Sequence, residues 1–212
     1  LKYFSVGSPF DGLNIVEATG EWTFDPTEES YQYLKEGQTL DITVEYAVED
    51  QDGGFNESSF VITLTGTNDA PAVTGILSNL PGGSEDTAYI ITKAQLLAGY
   101  SDLDSGETAT LDIANLETKD VDGNVIGTLT GQDSDGIASD AAGYNGTISQ
   151  WSYQPAEHYN GTVYVTYDVT DGIANTAASS TFDLAAVNDV PDLTGTKAVL
   201  DAATEDTVYL IE

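Results

Sequence analysis

"GTVYVTYDV", Gly161–Val169, alternates Val163, Val165, Tyr167 and Val169 against Thr162, Tyr164, Thr166 and Asp168. A period of two sends one set to each face of an extended strand. The stretch has an earlier twin. "LDITVEYAV", Leu40–Val48, sets Ile42, Val44, Tyr46 and Val48 against Asp41, Thr43 and Glu45, and the register that aligns the two also carries Asp50 onto Asp171. "FVITLTG" and "TFDLAAV" follow as closing strands, and upstream "EWTFDP" (Glu21–Pro26) echoes "QWSYQP" (Gln150–Pro155). Short β-rich runs separated by Asp-Gly, Asn-Gly and Gly-Gly turns predict antiparallel β-sandwiches, so the fold class is all-β. One piece, "TKAQLLAGY" (Thr92–Tyr100), is expected to form a turn or two of helix.

The duplication extends to the connections. "GTNDAPAVTG" at Gly66 returns as "AVNDVPDLTG" at Ala186, and "SEDTAYII" at Ser84 returns as "TEDTVYLI" at Thr204. The same spacing carries Asn68 to Asn188, Asp69 to Asp189 and Glu85 to Glu205. A period kept across turns, where insertions are tolerated, marks domains joined end to end. Residues 70–189 then form one complete repeat. Residues 1–69 match only its later strands and lack its opening section, whereas residues 190–212 supply only the opening section of a third repeat.

Thirty-six acidic residues against five lysines give a formal charge of -31. No basic patch can be assembled from that set, so nucleic acid and anionic lipid are not expected partners. The hydrophobic content of 40% suffices for packed cores. There is no cysteine, so a secreted form needs another staple, and the carboxylates suggest a hard cation. No apolar run approaches the ~20 residues of a membrane span, so membrane insertion is not expected. No signal peptide is visible and the first residue is Leu1, which reads as a piece of a longer chain.

The run "EWTFDP…YQYLKEGQTLDITVEYAVEDQDGG…VITLTGTNDAP" resembles the VCBS repeat. In the second unit, "SEDTAYIITKAQLLAGYSDLDSGE", "YQPAEHYNGTVYVTYDVTDG" and "VNDVP" resemble cadherin-like repeats. Together these cover most of the chain and are similar to the tandem repeats of very large bacterial surface adhesins of RTX type. The resemblance implies calcium-binding, Ig-like or cadherin-like sandwiches serving as extenders of an exported protein, extracellular or on the bacterial cell surface.

Strand directions place the acids without the family. Let the end where the chain enters a unit be its top. An opening strand over about Ala72–Leu80 runs down, leaving Glu85 at the bottom. The next strand, Ala88–Ile91, runs up and carries Asp102, Asp104 and Glu107 to the top. The closing strand runs down into Asn188 and Asp189, so its hairpin partner runs up, which puts Asp171 at the top and Glu157 at the bottom. Acids therefore collect at both poles, each facing an Asn-Asp linker.

By resemblance to cadherin junctions, Asn68, Asp69, Asp102, Asp104 and Asp171 are the expected ligands at the first junction. Glu85, Glu157, Asn188 and Asp189 are those at the second. The matching acid of the first unit is Glu28 when aligned on Trp22 and Pro26, or Glu36 when counted back from the strand. Calcium takes six to eight oxygens at flexible geometry, which such a set supplies. Without a cation, two carboxylates about 4 Å apart repel by roughly 4 kcal/mol at an effective dielectric near 20.

Other readings compete. An Asn-Asp-x-Pro passage is also an ordinary turn. "DVDGN" (Asp120–Asn124) and "DSDG" (Asp133–Gly136) read as hairpin turns, as does most of "EDQDGG" (Glu49–Gly54). Trp22 and Trp151 occupy matching places and read as core. His158 is the only histidine and reads as a surface residue. Paired acids can serve glycoside hydrolysis, but their recurrence once per repeat argues for structure, so no enzyme is expected. A carbohydrate- or protein-binding module would need an exposed aromatic platform. A further alternative follows from the register of the pieces. The opening strands in residues 190–212 of one chain could complete residues 1–69 of an identical chain by strand addition. That contact would build a head-to-tail filament and bring Glu205 beside Asn68 and Asp69. Neighbouring repeats of the same protein are the other expected partners.

Overall fold

The computed structural model describes residues 1–7, 9–191, 195, 199 and 202–208. The strand expected near Tyr209 lies outside the described residues.

Two β-bodies follow one another. The first contains β1 (Lys2–Ser5), β2 (Leu13–Val16), β3 (Glu21–Phe24), β4 (Thr39–Glu49) and β5 (Phe55–Thr65). These form a three-stranded sheet in the order β1-β4-β5 and a separate pair, β2-β3. The second contains β6 (Ala72–Val73), β7 (Gly83–Ser84), β8 (Tyr89–Thr92), α1 (Lys93–Leu97), β9 (Tyr100–Ser101), β10 (Asp112–Lys119), β11 (Thr128–Gln132), β12 (Gln150–Gln154), β13 (Gly161–Thr170) and β14 (Asn175–Ala185). Its sheets are β10-β13-β14-β7 and β11-β12-β8, with β6-β9 as a short ribbon. The long hairpins β4-β5 and β13-β14 are the twin alternating runs, and both pair antiparallel.

The alternation works as expected in the second body. Val163, Val165, Tyr167 and Val169 are buried with Phe182 of the neighbouring β14, and they close on Ile91, Tyr153, Trp151 and Leu96 from the opposing elements. Phe182 stacks on Tyr89 at 4.1 Å between centroids and meets Tyr153 edge-on at 5.7 Å. Helix α1 is a single capped turn: the Thr92 hydroxyl accepts from the Gln95 N–H, and the Gln95 side-chain carbonyl accepts from the Thr92 N–H. The reciprocal pair satisfies two donors that a helix start leaves open.

The opening strand expected over Ala72–Leu80 is only two residues long. Thr74 and Gly75 both donate to the Gly99 carbonyl, and a Cβ on Gly75 would press on the Gly99 Cα at 3.2 Å. That close approach turns the chain off the sheet. Pro81, which has no N–H to donate to a ladder, delays its return. Pairing resumes at β7, parallel to Leu184 and Ala185 of β14. The direction of travel is still top to bottom, so the acids reach the poles that strand direction requires.

The first body has no counterpart of β6 to β9 among the described residues, and its core is correspondingly looser. Trp22, Tyr46 and Phe60 pack edge-on or tilted, with centroids 5.3–6.0 Å apart, and all three are only half-buried.

Ile91 is fully buried and its neighbour Ile90 is 42% exposed. Ile91→Ala therefore lowers stability by about 2–5 kcal/mol. Ile90→Ala stays within about 0.5 kcal/mol. Urea unfolding of both variants checks the register of β8; a larger loss for Ile90→Ala than for Ile91→Ala would place the strand one residue out.

Candidate metal centres

At the top of the second body, the loop Asp102–Glu107, the turn after β13 and the linker Asn68–Asp69 meet. Each of five side chains there spends at least one end on the fold. The Asn68 amide donates to its own linker, Asp69 C=O at 2.8 Å, and to Asp171 Oδ2 at 3.0 Å. The other Asp171 oxygen accepts from the N–H groups of Ile173 and Ala174 at 2.6 and 2.7 Å. Asp104 Oδ2 accepts from the Asp69 N–H at 3.0 Å, tying linker to loop. Asp102 Oδ1 accepts from the Asp104 N–H at 2.9 Å. Glu107 Oε1 lies 3.6 Å from the Lys35 ammonium of the first body.

Asp171 uses both oxygens this way, and the other four side chains keep one oxygen each. Asn68 Oδ1, Asp102 Oδ2, Asp104 Oδ1 and Glu107 Oε2 are all buried and have no hydrogen-bond partner. Asp104 as a residue is only 1% exposed. Buried oxygens are nearly always hydrogen-bonded, and leaving one unpaired costs about 1–3 kcal/mol, more when it is charged. Four on one cluster mark a place built for something that accepts oxygen lone pairs. Carboxylate oxygens of Asp102, Glu107 and Asp171 approach within 4.8 Å of one another, close enough to share a cation. Every available donor atom is a hard oxygen of the kind calcium takes, and backbone carbonyls or water would complete its six to eight ligands.

The electrostatics agree with the crowding. Burial pushes the Asp102 carboxyl up; an opposing bond from the Asp104 N–H is outweighed, with the charges of Asp104, Asp171 and Asp69 adding to the rise. Burial also pushes Asp171 up, but hydrogen bonds from Ala174, Asn68 and Ile173 carry it below the usual carboxylate range. One member of the cluster resists ionising and another is held ionised.

The bottom of the second body holds a different arrangement. Glu85 is 2% exposed, with Oε1 accepting from the Val187 N–H at 2.6 Å and Oε2 from the Asn160 amide at 3.1 Å. Carboxylate oxygens of Glu85, Asp86 and Asp189 lie within 4.8 Å of one another. Asn188 repeats the turn seen at Asn68, its amide donating to Asp189 C=O at 3.1 Å. Glu157 does not join Glu85. Its side chain is exposed and faces His158, Nε2 to Oε1 3.6 Å, while His158 Nδ1 bonds Asp189 Oδ2 at 2.8 Å. The histidine stands between two acids expected to act together.

Two acids beyond the expected ligands join the clusters. Glu107 had been carried to the top but given no role, and Asp86 follows Glu85 directly. Asp86 adopts φ 60, as does its counterpart Asp206 at φ 62. The signal in the sequence is the recurring pair Glu85-Asp86 and Glu205-Asp206; the left-handed backbone at each aspartate is seen only in the structure. From the first body neither alternative arrives: Glu28 precedes the short turn Glu29–Tyr31 with its side chain making no cap bond, Glu36 is exposed, and neither is in the top cluster. Glu205 lies in an exposed turn. The Asp-Gly passages are hairpin turns, with Asp50, Asp120 and Asp133 each accepting from backbone N–H groups two and four residues on.

A family model described as Cadherin-like domain matches residues 67–185, more than half of the chain. The chain belongs to that family, whose domains are structural adhesion modules, typically calcium-binding and extracellular. No curated protein matches. Among solved structures, mouse clustered PcdhgC3 EC1-3 is similar over 88% of this chain and 54% of that one, at 14% identity and a TM-score of 0.42. Protocadherin Gamma B2 extracellular cadherin domains 3-6 is similar over 89% and 40%, at 17% identity and 0.43. An endo-fucoidan hydrolase of glycoside hydrolase family 107 is similar over 88% and 24%, at 16% identity and 0.32. The chain thus spans about half the length of the first of these, and less of the others. No helix among the described residues is long and apolar enough to cross a membrane.

The hydrogen bond to Asp189, with the charges of Asp189 and Glu157, raises the His158 pKa above the ordinary 6.5. In metal-free buffer that contact stabilises the fold in full below about pH 6.5, and is lost as pH rises through the folded value. Ring-proton NMR titration should find the midpoint above 6.5, with Asp189→Asn returning it toward 6.5.

Proposed function

We propose that this chain is a calcium-stiffened extender segment of an exported bacterial adhesin, its domains locked end to end by cations at the linkers and projecting a binding domain away from the cell surface. The observation that carries the reading is the set of four buried oxygens without partners, on Asn68, Asp102, Asp104 and Glu107, where linker and domain meet. Residues Asn68, Asp69, Asp102, Asp104 and Asp171 hold the ion at the first junction. Glu85, Asp86 and Asp189 form the nearer half of the second, completed by the domain that follows. A cation supplies the positive charge that these oxygens otherwise lack. The chain's own part is to hold the linker by Asn68 and Asp69, so that metal binding fixes the angle between bodies. Bacterial origin rests on the VCBS and RTX resemblance of the first seventy or so residues.

Calcium in excess, and magnesium far less, should raise the melting temperature relative to EDTA. A ligand at a hundred times its dissociation constant adds about 2.7 kcal/mol to the native state. Asp104→Asn should remove most of that gain. Identical melts in EDTA and calcium would sink the reading.

A second reading concerns assembly. Strand β3 pairs only with β2 among the described residues, whereas its counterpart β12 carries β8 along the other edge. Tyr3, Gly20, Trp22, Tyr46 and Phe60 line an open cavity of about 370 Å³ in the first body. The segment "TEDTVYLI" (Thr204–Ile211) repeats "SEDTAYII", whose Tyr89 and Ile91 fill the matching face of the second body. We propose that this segment of an identical chain docks there, giving head-to-tail strands of molecules. Particle mass should then rise with concentration in light scattering and stop rising when residues 203–212 are deleted; a monomer at every concentration removes this reading and leaves the first untouched.

A further inference from the structure

The junction ion and the first body are linked by a pair that the expected ligand set does not contain. Glu107 turns one oxygen to Lys35 and keeps the other, Oε2, buried and unpartnered within the acidic cluster. Lys35 is one of five lysines in a chain with thirty-six acids. Its position is not accidental to the loop. The Ser105 N–H donates to the Tyr33 carbonyl at 3.0 Å, laying residues 33–35 of the first body on the loop that carries Asp104 and Glu107. Gly66 fixes that segment from behind, because any Cβ there would collide with the carbonyls of Leu34 and Lys35. Gly66 also bonds both ways with it, donating to Gln38 and accepting from Gly37.

Resting on the calcium reading above, we infer that Glu107 is an additional ligand of the first-junction ion and that Lys35 sets the affinity of that site. A carboxylate oxygen of Glu107 lies within 4.8 Å of one from Asp102 and one from Asp171, and its Oε2 is buried without a partner. On the same loop the almost fully buried Asp104, with Oδ1 unpartnered, is an independent sign of a cation seat. The ammonium does two opposed things. It neutralises part of the cluster, so the first body stays seated on the loop without metal. It also repels an incoming divalent ion, so the site binds more weakly than its carboxylates alone would dictate. Where cadherin-like resemblance predicts a glutamate from the preceding unit, this junction receives a cation held through Glu107. At the second cluster, Glu85 and Asp86 of the preceding body contribute directly, with no lysine pairing them among the described residues.

Calcium titration calorimetry on the whole chain tests this, with the first-junction site identified as the one lost in Asp104→Asn. Lys35→Gln should tighten that site about fivefold, an effect that shrinks in high salt, and Lys35→Arg should leave it as in the parent chain. Glu107→Gln should weaken it about tenfold. A Glu107→Gln chain that binds as the parent does would reduce Glu107 to a partner of Lys35. Unchanged or weaker binding by Lys35→Gln would overturn the affinity role. Either result, with Asp104→Asn still deficient, overturns this inference alone; a parent chain that takes up no calcium overturns the calcium reading and this inference together.

Discussion

The two hydrogen bonds donated by the Asn68 amide organise the linker. With its nitrogen committed to Asp69 C=O and Asp171 Oδ2, the amide has only one way to face, and its oxygen is left pointing into a buried space. Asp69 then presents its N–H to Asp104, and Asp104 in turn has one oxygen spent and one spare. The same division, one atom for the fold and one for something else, runs through the loop to Glu107. An ordinary turn would satisfy its polar atoms internally, as Asp120 does with three bonds from its own turn. The linker is a turn that withholds part of its bonding capacity.

This division also explains why the acids do not simply unfold the molecule. Repulsion within a buried carboxylate group is largest when every oxygen is ionised and unpaired. Backbone N–H groups absorb part of it at Asp171, a lysine absorbs part at Glu107, and at Asp102 the Asp104 N–H absorbs part, although burial still pushes that carboxyl up. At the bottom cluster, Glu85 is tied down on both oxygens by Val187 and Asn160, and Asp189 is held through Oδ2 by His158. The two ends of one domain therefore solve the same charge problem with different partners.

Alternation in Leu40–Val48 and Gly161–Val169, with the Asp-Gly turns, made the sheets and their hairpins legible, and strand direction alone carried Glu85 and Asp171 to opposite poles. What could not be read depends on contacts across the chain. The brief opening strand follows from Gly75 meeting Gly99, a pairing with no local signature. Glu157 sits at the expected pole, yet His158 at φ 59 turns the chain so that the acid faces the imidazole and solvent. Lys35 is invisible as a junction residue until Gly66 and Tyr33 are seen to press its loop against Ser105. Alignment to a family ligand pattern pointed instead to Glu28 or Glu36, because it assumes that the first unit presents its acids as a complete one does.

The long hairpin β13-β14 runs the length of the second body, and its closing strand continues straight into the next linker. Tension applied between the linkers at Asp69 and Val187 would thus pull along the strands, at right angles to the ladder bonds that join them. Loaded this way, the bonds between β13 and β14 share the force and must yield together, instead of opening one at a time like a zip. A domain wired in this orientation is a mechanical link as much as a spacer.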